Sequence, residues 1–460
     1  MSSQIKQSAS AALKYSDLEA DIKSGKIDTV LVAIVDMQGR LQGKRVHGDF
    51  FLKEVASHAT EGCNYLLAVD VDMNTVPGYA MSSWDRGYSD FMMKPDWDTL
   101  CRIPWLDGTA FILADALWLD ESDVVASPRQ ILKSQISRLA EHNLVPYTGT
   151  ELEFIVFNDT YEMAWDKGYR DLIPANQYNI DYSLLGTSRV EGLLRAIRLG
   201  MAGAGLEVES AKGECNLGQH EIAFRYSDAL TTADRHVLYK LGAKEIASEM
   251  GYALTFMAKF NEREGNSCHI HLSVRDKAGN PVMADDSDQY GMSQLAKSFI
   301  AGQIKYMREL TLFFAPNINS YKRYVEGSFA PTAIKWGPDN RTCALRLVGH
   351  GQSLRFENRV PGGDVNPYLA EAAMIAAGIA GIEEKLELEA PFTGNAYKSD
   401  AQRVPETLQE AADLWAKSGF VKKTFGEEVQ EHYLNMANTE LKAFNSAVTD
   451  WERVRTFERM

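Results

Sequence analysis

At 460 residues, with 45% hydrophobic and 24% charged residues, the chain has a soluble globular composition and too much length for one ordinary core, so two domains are expected. Its net charge of −15, from 48 Lys+Arg against 63 Asp+Glu, argues against a nucleic-acid or anionic-membrane partner. Five widely spaced cysteines without a CxxC, a polar N-terminus and the lack of any apolar run near the ~20 residues of a membrane span point to free thiols in a reducing cytoplasm.

In chain order, residues 1–25 read as a leader helix. TVLVAIVDMQGRLQGKRVHG follows as a hairpin, two alternating runs joined at Gln38-Gly39. NYLLAVDVDM and GTAFILADALWL are expected as two further strands. The segment between them, from Thr75 to Trp105, is read as one long irregular and therefore functional loop. These elements predict a small α+β domain over residues 1–122. Ser127 as N-cap and Pro128 at the first helical position start a helix whose apolar stripe is Leu132, Ile136 and Leu139. The second domain is therefore set at 123–460. Helices are predicted over 190–204, 229–250, 290–312, 366–388, 405–418 and 426–446, alternating or pairing with strands.

Three short stretches carry the chemistry: Glu151-Leu-Glu153, His269-Ile-His271 and Arg355-Phe-Glu357-Asn-Arg359. Each reads as a strand, where residues i and i+2 share a face at roughly 6.5–7 Å. A lone ExE is more often a solvated face. Here Phe154, Ile155, Val156 and Phe157 follow at once, so the strand is central, and two carboxylates there need a cation to offset desolvation. Glu214 and Glu221 lie in ESAKGECNLGQHEIAFRYSD, read as a loop entering the strand EIAFRY. The HxH beside Gly265-Asn266-Ser267 suits a metal or phosphate contact, with Cys268 facing away. Such a donor set prefers Mg²⁺ or Mn²⁺ to structural zinc. Arg323, Arg341, Arg346, Arg355 and Arg359, interleaved with turns, form a clamp for phosphates and a substrate carboxylate. The chain therefore reads as an enzyme that handles a phosphorylated substrate on metal ions.

Taken together, NSYKR, Gly-Asn-Ser-x-His-x-His, NR-x4-R and R-x-E-x-R-x-P resemble the glutamine synthetase family, in its order and spacing and over nearly the whole chain. The resemblance implies an α+β fold: a small β-grasp-like N-terminal domain, and a catalytic domain of antiparallel strands flanked by helices. It also implies a ring-built dodecamer in which a neighbour's N-terminal domain completes each site. By the same resemblance Glu153, Glu214 and Glu221 match the ligands of one metal, and Glu151, His269 and Glu357 those of a second. Arg323, Arg359 and the Gly265 backbone match the groups that hold glutamate, and Arg341 the arginine at the transferring phosphoryl group. Glu209, His271, Ser273, Arg346 and Arg355 match nucleotide contacts. Two or more Mg²⁺ or Mn²⁺ ions and ATP are then expected, with γ-glutamyl phosphate as the acyl donor.

Two departures bear on the nucleophile. Ammonium-using members carry an acid in the flap after NSYKR; here the flap reads EGSFAP, with Phe329 at that position. The aspartate of their FDGSS motif has no counterpart near Trp84. An aromatic ring is a poor ammonium pocket and a reasonable wall for the carbon chain of an amine. Asp90 and Glu326 are the candidates to deprotonate that amine. The reading is thus an ATP-dependent glutamate–amine ligase of amine catabolism. An ammonium-using glutamine synthetase with a remodelled flap, or an inactive scaffold, are the alternatives. Tyr397 in GNAYKSD, near a tyrosine that some members adenylylate, reads as an ordinary loop residue.

Overall fold

The computed structural model describes residues 13–460, so the helix expected over 1–25 falls partly outside them; Tyr15–Lys23 is helical. Among the described residues six strands form a first sheet in the order β2-β1-β6-β4-β3, with β5 paired to β6. They are β1 (Thr29–Val35), β2 (Leu41–His47), β3 (Thr60–Cys63), β4 (Asp90–Pro95), β5 (Cys101–Arg102) and β6 (Thr109–Leu117). The β1–β2 hairpin forms as expected. Its turn closes because Asp36 Oδ1 accepts from the Gln38 and Arg40 amides at 3.0 and 2.8 Å, while Gly39 takes φ +78°. β1 runs parallel to β6, so the sheet is mixed.

Two expectations fail in this half. NYLLAVDVDM is not a strand: Asn64–Leu67 is a 3-10 turn. The buried Asn64 side chain donates to Met81 O and accepts from Ser82 Oγ, and Asp70 closes a local turn onto Asn74, so side-chain bonds draw the segment away from a ladder. Nor is the stretch from Thr75 to Trp105 wholly irregular. It contains β4 and β5, hidden in the sequence by the Pro, Asp and Trp residues that surround them.

Nine strands form the second sheet, in the order β13-β14-β15-β12-β7-β9-β8, with β10 and β11 also paired to β7. They are β7 (Leu144–Phe157), β8 (Val208–Gly213), β9 (Gln219–Phe224), β10 (Ser227–Asp228), β11 (Ala253–Thr255), β12 (Cys268–Asp276), β13 (Ala333–Pro338), β14 (Cys343–Val348) and β15 (Arg355–Asn358). Every pairing is antiparallel except β13 with β14. ESAKG, read as loop, is β8; its glycine and lysine masked the alternation.

The helices Glu191–Gly203, Ala229–Glu249, Gln294–Phe314, Pro367–Glu383, Leu408–Lys417 and Glu427–Ser446 match the expected stretches. Pro367–Glu383 is buried on nearly every side and lies close against Gln294–Phe314. A Cβ on Gly302 would stand 2.0 Å from Ala377 O, so only glycine permits that approach. Among the described residues no helix is long and apolar enough to cross a membrane. All five cysteines are free.

The two sheets are tied by polar contacts as well as by a continuous apolar core. Arg129, buried in helix Pro128–Glu141, reaches Asp96 just past β4 at 2.7 Å, Asp115 on β6 at 2.6 Å, and Asp234 in helix Ala229–Glu249 at 2.9 Å. Asn366 Nδ2 donates to Asp36 O and Met37 O in the β1–β2 turn. The second sheet's central strands are thereby fixed beneath the loops that surround their exposed face.

Candidate active site

The site is a product of register. β15, β12, β7, β9 and β8 are successive neighbours, and alternation sends every second side chain to one face. Cross-strand pairs then bring charged residues into line: Glu357 with His271, His269 with Glu151, Glu153 with Glu221, and Glu221 with Lys212. A slip of one residue in any strand would turn its share of these groups into the core. Cys268 is fully buried on the opposite face, as the alternation requires.

Two clusters result. Glu151, His269 and Glu357 place ligand atoms within 4.8 Å of one another, and so do Glu153, Glu214 and Glu221. His269 Nδ1 stands 3.5 Å from Glu151 Oε2 and 3.3 Å from Glu357 Oε1. Donors around one octahedral cation at about 2.1 Å are about 3 Å apart, so this spacing fits a shared Mg²⁺ or Mn²⁺. The remaining His269 nitrogen, Nε2, is buried and unpartnered. Five carboxylates and one imidazole on one face are a hard donor set. Glu153 is anchored from behind, its Oε2 accepting from the Ser267 amide at 2.7 Å and from Gln219 Nε2 at 3.0 Å.

The electrostatics follow from crowding. Burial pushes the Glu221 carboxyl up, and the charges of Glu151, Glu153 and Glu357 push further, to about 8, although Lys212 opposes them. Burial also opposes ionisation of Glu151, but hydrogen bonds to His269 and His271 outweigh it and hold the group below the usual carboxylate range. For Glu357 the same burial is overcome by His269, Arg359 and His271. Burial and the charge of Arg359 keep His269 itself low, so it is a neutral donor near pH 7.

The clusters open onto a cavity of about 360 Å³ lined on its far side by Ser328, Phe329, Arg341, Arg346 and Arg359. Arg359 Nη1 and Arg346 Nη1 hold Glu357 at 2.5 and 3.0 Å. Arg355 Nε meets His271 Nδ1 at 3.1 Å, whose Nε2 meets Glu151 Oε1 at 2.9 Å. Ser273 follows His269 and His271 on the same face of β12. Gly265 also lines the cavity, and a Cβ there would stand 2.2 Å from Ala258 O.

Four residues stand apart from this group. Arg323 is 1% exposed and donates to Val360 O and Arg359 O, both at 2.8 Å, so it braces the backbone just past β15 from behind the cavity wall. Glu209 sits exposed at a bulge in β8. Asp90, exposed at the start of β4, and Glu326, exposed on the flap, do not line the cavity. Tyr397 is held by its hydroxyl on Ala330 O.

Lys212, Gln219, Asp181, Tyr182, Cys215 and Glu264 line the cavity and were missed by the motif reading. Gln219 was accessible in principle, since it lies two positions before Glu221 on one strand. Lys212 sits on β8, the strand read as loop, while Asp181 and Tyr182 from the excursion between β7 and β8, Cys215 after β8 and Glu264 before β12 come together only through the fold, which no local pattern encodes.

Residues 125–456 match the family described as glutamine synthetase, catalytic domain. Over 97% of its length the chain is 64% identical to the gamma-glutamylethanolamide synthetase of Streptomyces coelicolor, of which 96% is covered. It is 37% identical to the glutamate–isopropylamine ligase of a Pseudomonas species, covering 94% of this chain and 96% of that one. A solved structure of a GmaS–ADP complex superposes with a TM-score of 0.84 at 27% identity, covering 96% of this chain and 99% of its own. The chain belongs to the glutamine synthetase family.

Proposed function

We propose that the protein is an ATP-dependent glutamate–amine ligase that joins the γ-carboxylate of L-glutamate to a small primary amine, with ethanolamine as the first candidate. The carrying observation is the pair of carboxylate clusters facing Arg341, Arg346 and Arg359 across one cavity. The likeness to a gamma-glutamylethanolamide synthetase and a glutamate–isopropylamine ligase supports an organic amine over ammonium.

In this reading Glu153, Glu214 and Glu221 hold one Mg²⁺ or Mn²⁺ and Glu151, His269 and Glu357 hold another. Bound there, the ions would supply positive charge to offset the negative charge of the ATP phosphates. Arg341 stabilises the transferring phosphoryl group, and Glu209, His271, Ser273, Arg346 and Arg355 hold the nucleotide. Arg359, the Gly265 backbone and, from behind, Arg323 orient glutamate so that a γ-carboxylate oxygen attacks the phosphorus and ADP departs. The amine nitrogen then attacks the acyl carbon of γ-glutamyl phosphate, and inorganic phosphate leaves. The amine's proton passes to Glu326 or to Asp90 of a neighbouring copy in a dodecamer. Phe329, 55% exposed at the cavity edge, walls the amine's carbon chain. The free thiols support a cytoplasmic setting.

Phosphate release with Mg²⁺, ATP and glutamate across ethanolamine, isopropylamine and ammonium tests the reading. Ethanolamine turnover at least tenfold above ammonium is expected, by roughly the discrimination a few well-placed contacts give. Equal or faster turnover with ammonium overturns it.

A further inference from the structure

Lys212 leaves β8 opposite Glu221 and puts its ammonium among the ligands of the Glu153–Glu214–Glu221 cluster. It is bonded to Glu214 and lies 3.9 Å from Glu221. Among the described residues no other Lys, Arg or His pairs with these three carboxylates. The same ammonium lies 4.9 Å from the centroid of the Tyr182 ring, and the lysine side chain is 24% exposed. Tyr182 and Lys212 both line the cavity.

Three carboxylates packed this closely repel one another and cannot all stay ionised without a counter-charge. A lysine ammonium supplies one positive charge on a flexible stem. A divalent ion uses the same oxygens and brings twice the charge, so the two compete for Glu214 and Glu221. The Tyr182 ring offers the released ammonium a favourable place to rest, because an aromatic face attracts a cation.

We propose that Lys212 is a resident placeholder for the divalent cation of this cluster, holding Glu214 and Glu221 in place before metal binds, giving them up to the metal while its ammonium stays over the Tyr182 ring, and so setting metal affinity. The inference rests on the reading that the cluster holds a metal. It makes Lys212 a positioning residue that acts through the ligands.

Calorimetric titration of metal-stripped full-length protein with Mn²⁺ provides the test, with wild type, Lys212→Met, Lys212→Arg and Tyr182→Leu compared. Lys212→Met removes a like charge beside the ion and should bind Mn²⁺ about tenfold more tightly. Its metal-free form should melt at a lower temperature than wild type, and the gap should close when Mn²⁺ is added. Lys212→Arg keeps the charge and should retain weak binding. Tyr182→Leu removes the resting place and should weaken binding about threefold. Should Lys212→Met not fold, Lys212→Gln makes the same comparison. Wild-type uptake of Mn²⁺ with unchanged or weaker affinity in the neutral variants overturns the placeholder alone. No Mn²⁺ uptake by wild type overturns the metal reading and the placeholder together.

Discussion

Glu153 on β7 and Glu221 on β9 are direct cross-strand partners, so the register of one antiparallel pair sets two carboxylates side by side at the floor of the cavity. Like charges directly opposite each other destabilise a sheet. Their adjacency is tolerated because Glu221 holds its proton to about pH 8 and Glu153 is fixed by the Ser267 amide and Gln219.

Proton release on metal binding follows. The folded pKa of Glu221 is raised from 4.5 to about 8, so the metal-free protein carries this proton at pH 7. The stability this gives is fully present below about pH 4.5 and is lost as pH rises through about 8. A metal at the cluster displaces the proton. Titrations with Mn²⁺ in two buffers of different ionisation enthalpy should show proton release at pH 7 that fades above pH 8, while apparent affinity rises over the same interval.

Removing the Glu357 charge should be costly. Glu357 is fully buried and holds Arg346, Arg359 and His269 together. Glu357→Ala leaves two guanidiniums without their shared partner, and breaking such a buried network costs about 3–5 kcal/mol. Urea unfolding should show that loss, and phosphate release should fall by about a hundredfold or more.

Gly265→Ala should lower stability by about 1–3 kcal/mol, because its new methyl group meets Ala258 O at 2.2 Å and Arg323 Cγ at 2.9 Å. The displaced loop carries the cavity wall, so KM for glutamate should rise more than kcat falls. Initial-rate kinetics over a glutamate series would separate the two.

Phe329→Glu places an acid where ammonium-using relatives are read to carry one. Its backbone, at φ +59°, is already in the left-handed region, so the change alters the side chain without asking for a new turn. The ratio of kcat/KM for ammonium over ethanolamine should rise about tenfold or more, since the negative charge favours a small cation and the lost ring no longer packs on carbon. An unchanged ratio would remove Phe329 from amine selection.

Much of the site was legible because period-2 alternation survives translation into strands. Glu151, Glu153, His269, His271, Glu357 and Arg359 share a face, and the structure gathers them as the i, i+2 spacing implied. The helices were legible for a similar reason, with Ser127-Pro128 and Asn366-Pro367 marking two starts. Illegible parts are those where side chains bond to backbone across sequence. Asn64 and Asp70 pull an apparently strand-like run into turns, and the glycine of ESAKG conceals β8. Arg323 shows a subtler limit. Its sequence context places it with the clamp, yet both carbonyls it holds belong to Arg359 and Val360 just past β15, and pattern alone cannot tell a group that touches ligand from one that steadies its neighbour.

The Arg129 guanidinium, shared by Asp96, Asp115 and Asp234, acts as a rivet through both halves of the molecule. Hinging one half against the other would strand three acids and a cation in a poorly hydrated seam. A change in the cavity's opening would therefore have to come from its rim, where Val325, Glu326, Gly327 and Phe329 are exposed, and not from the carboxylate strands beneath.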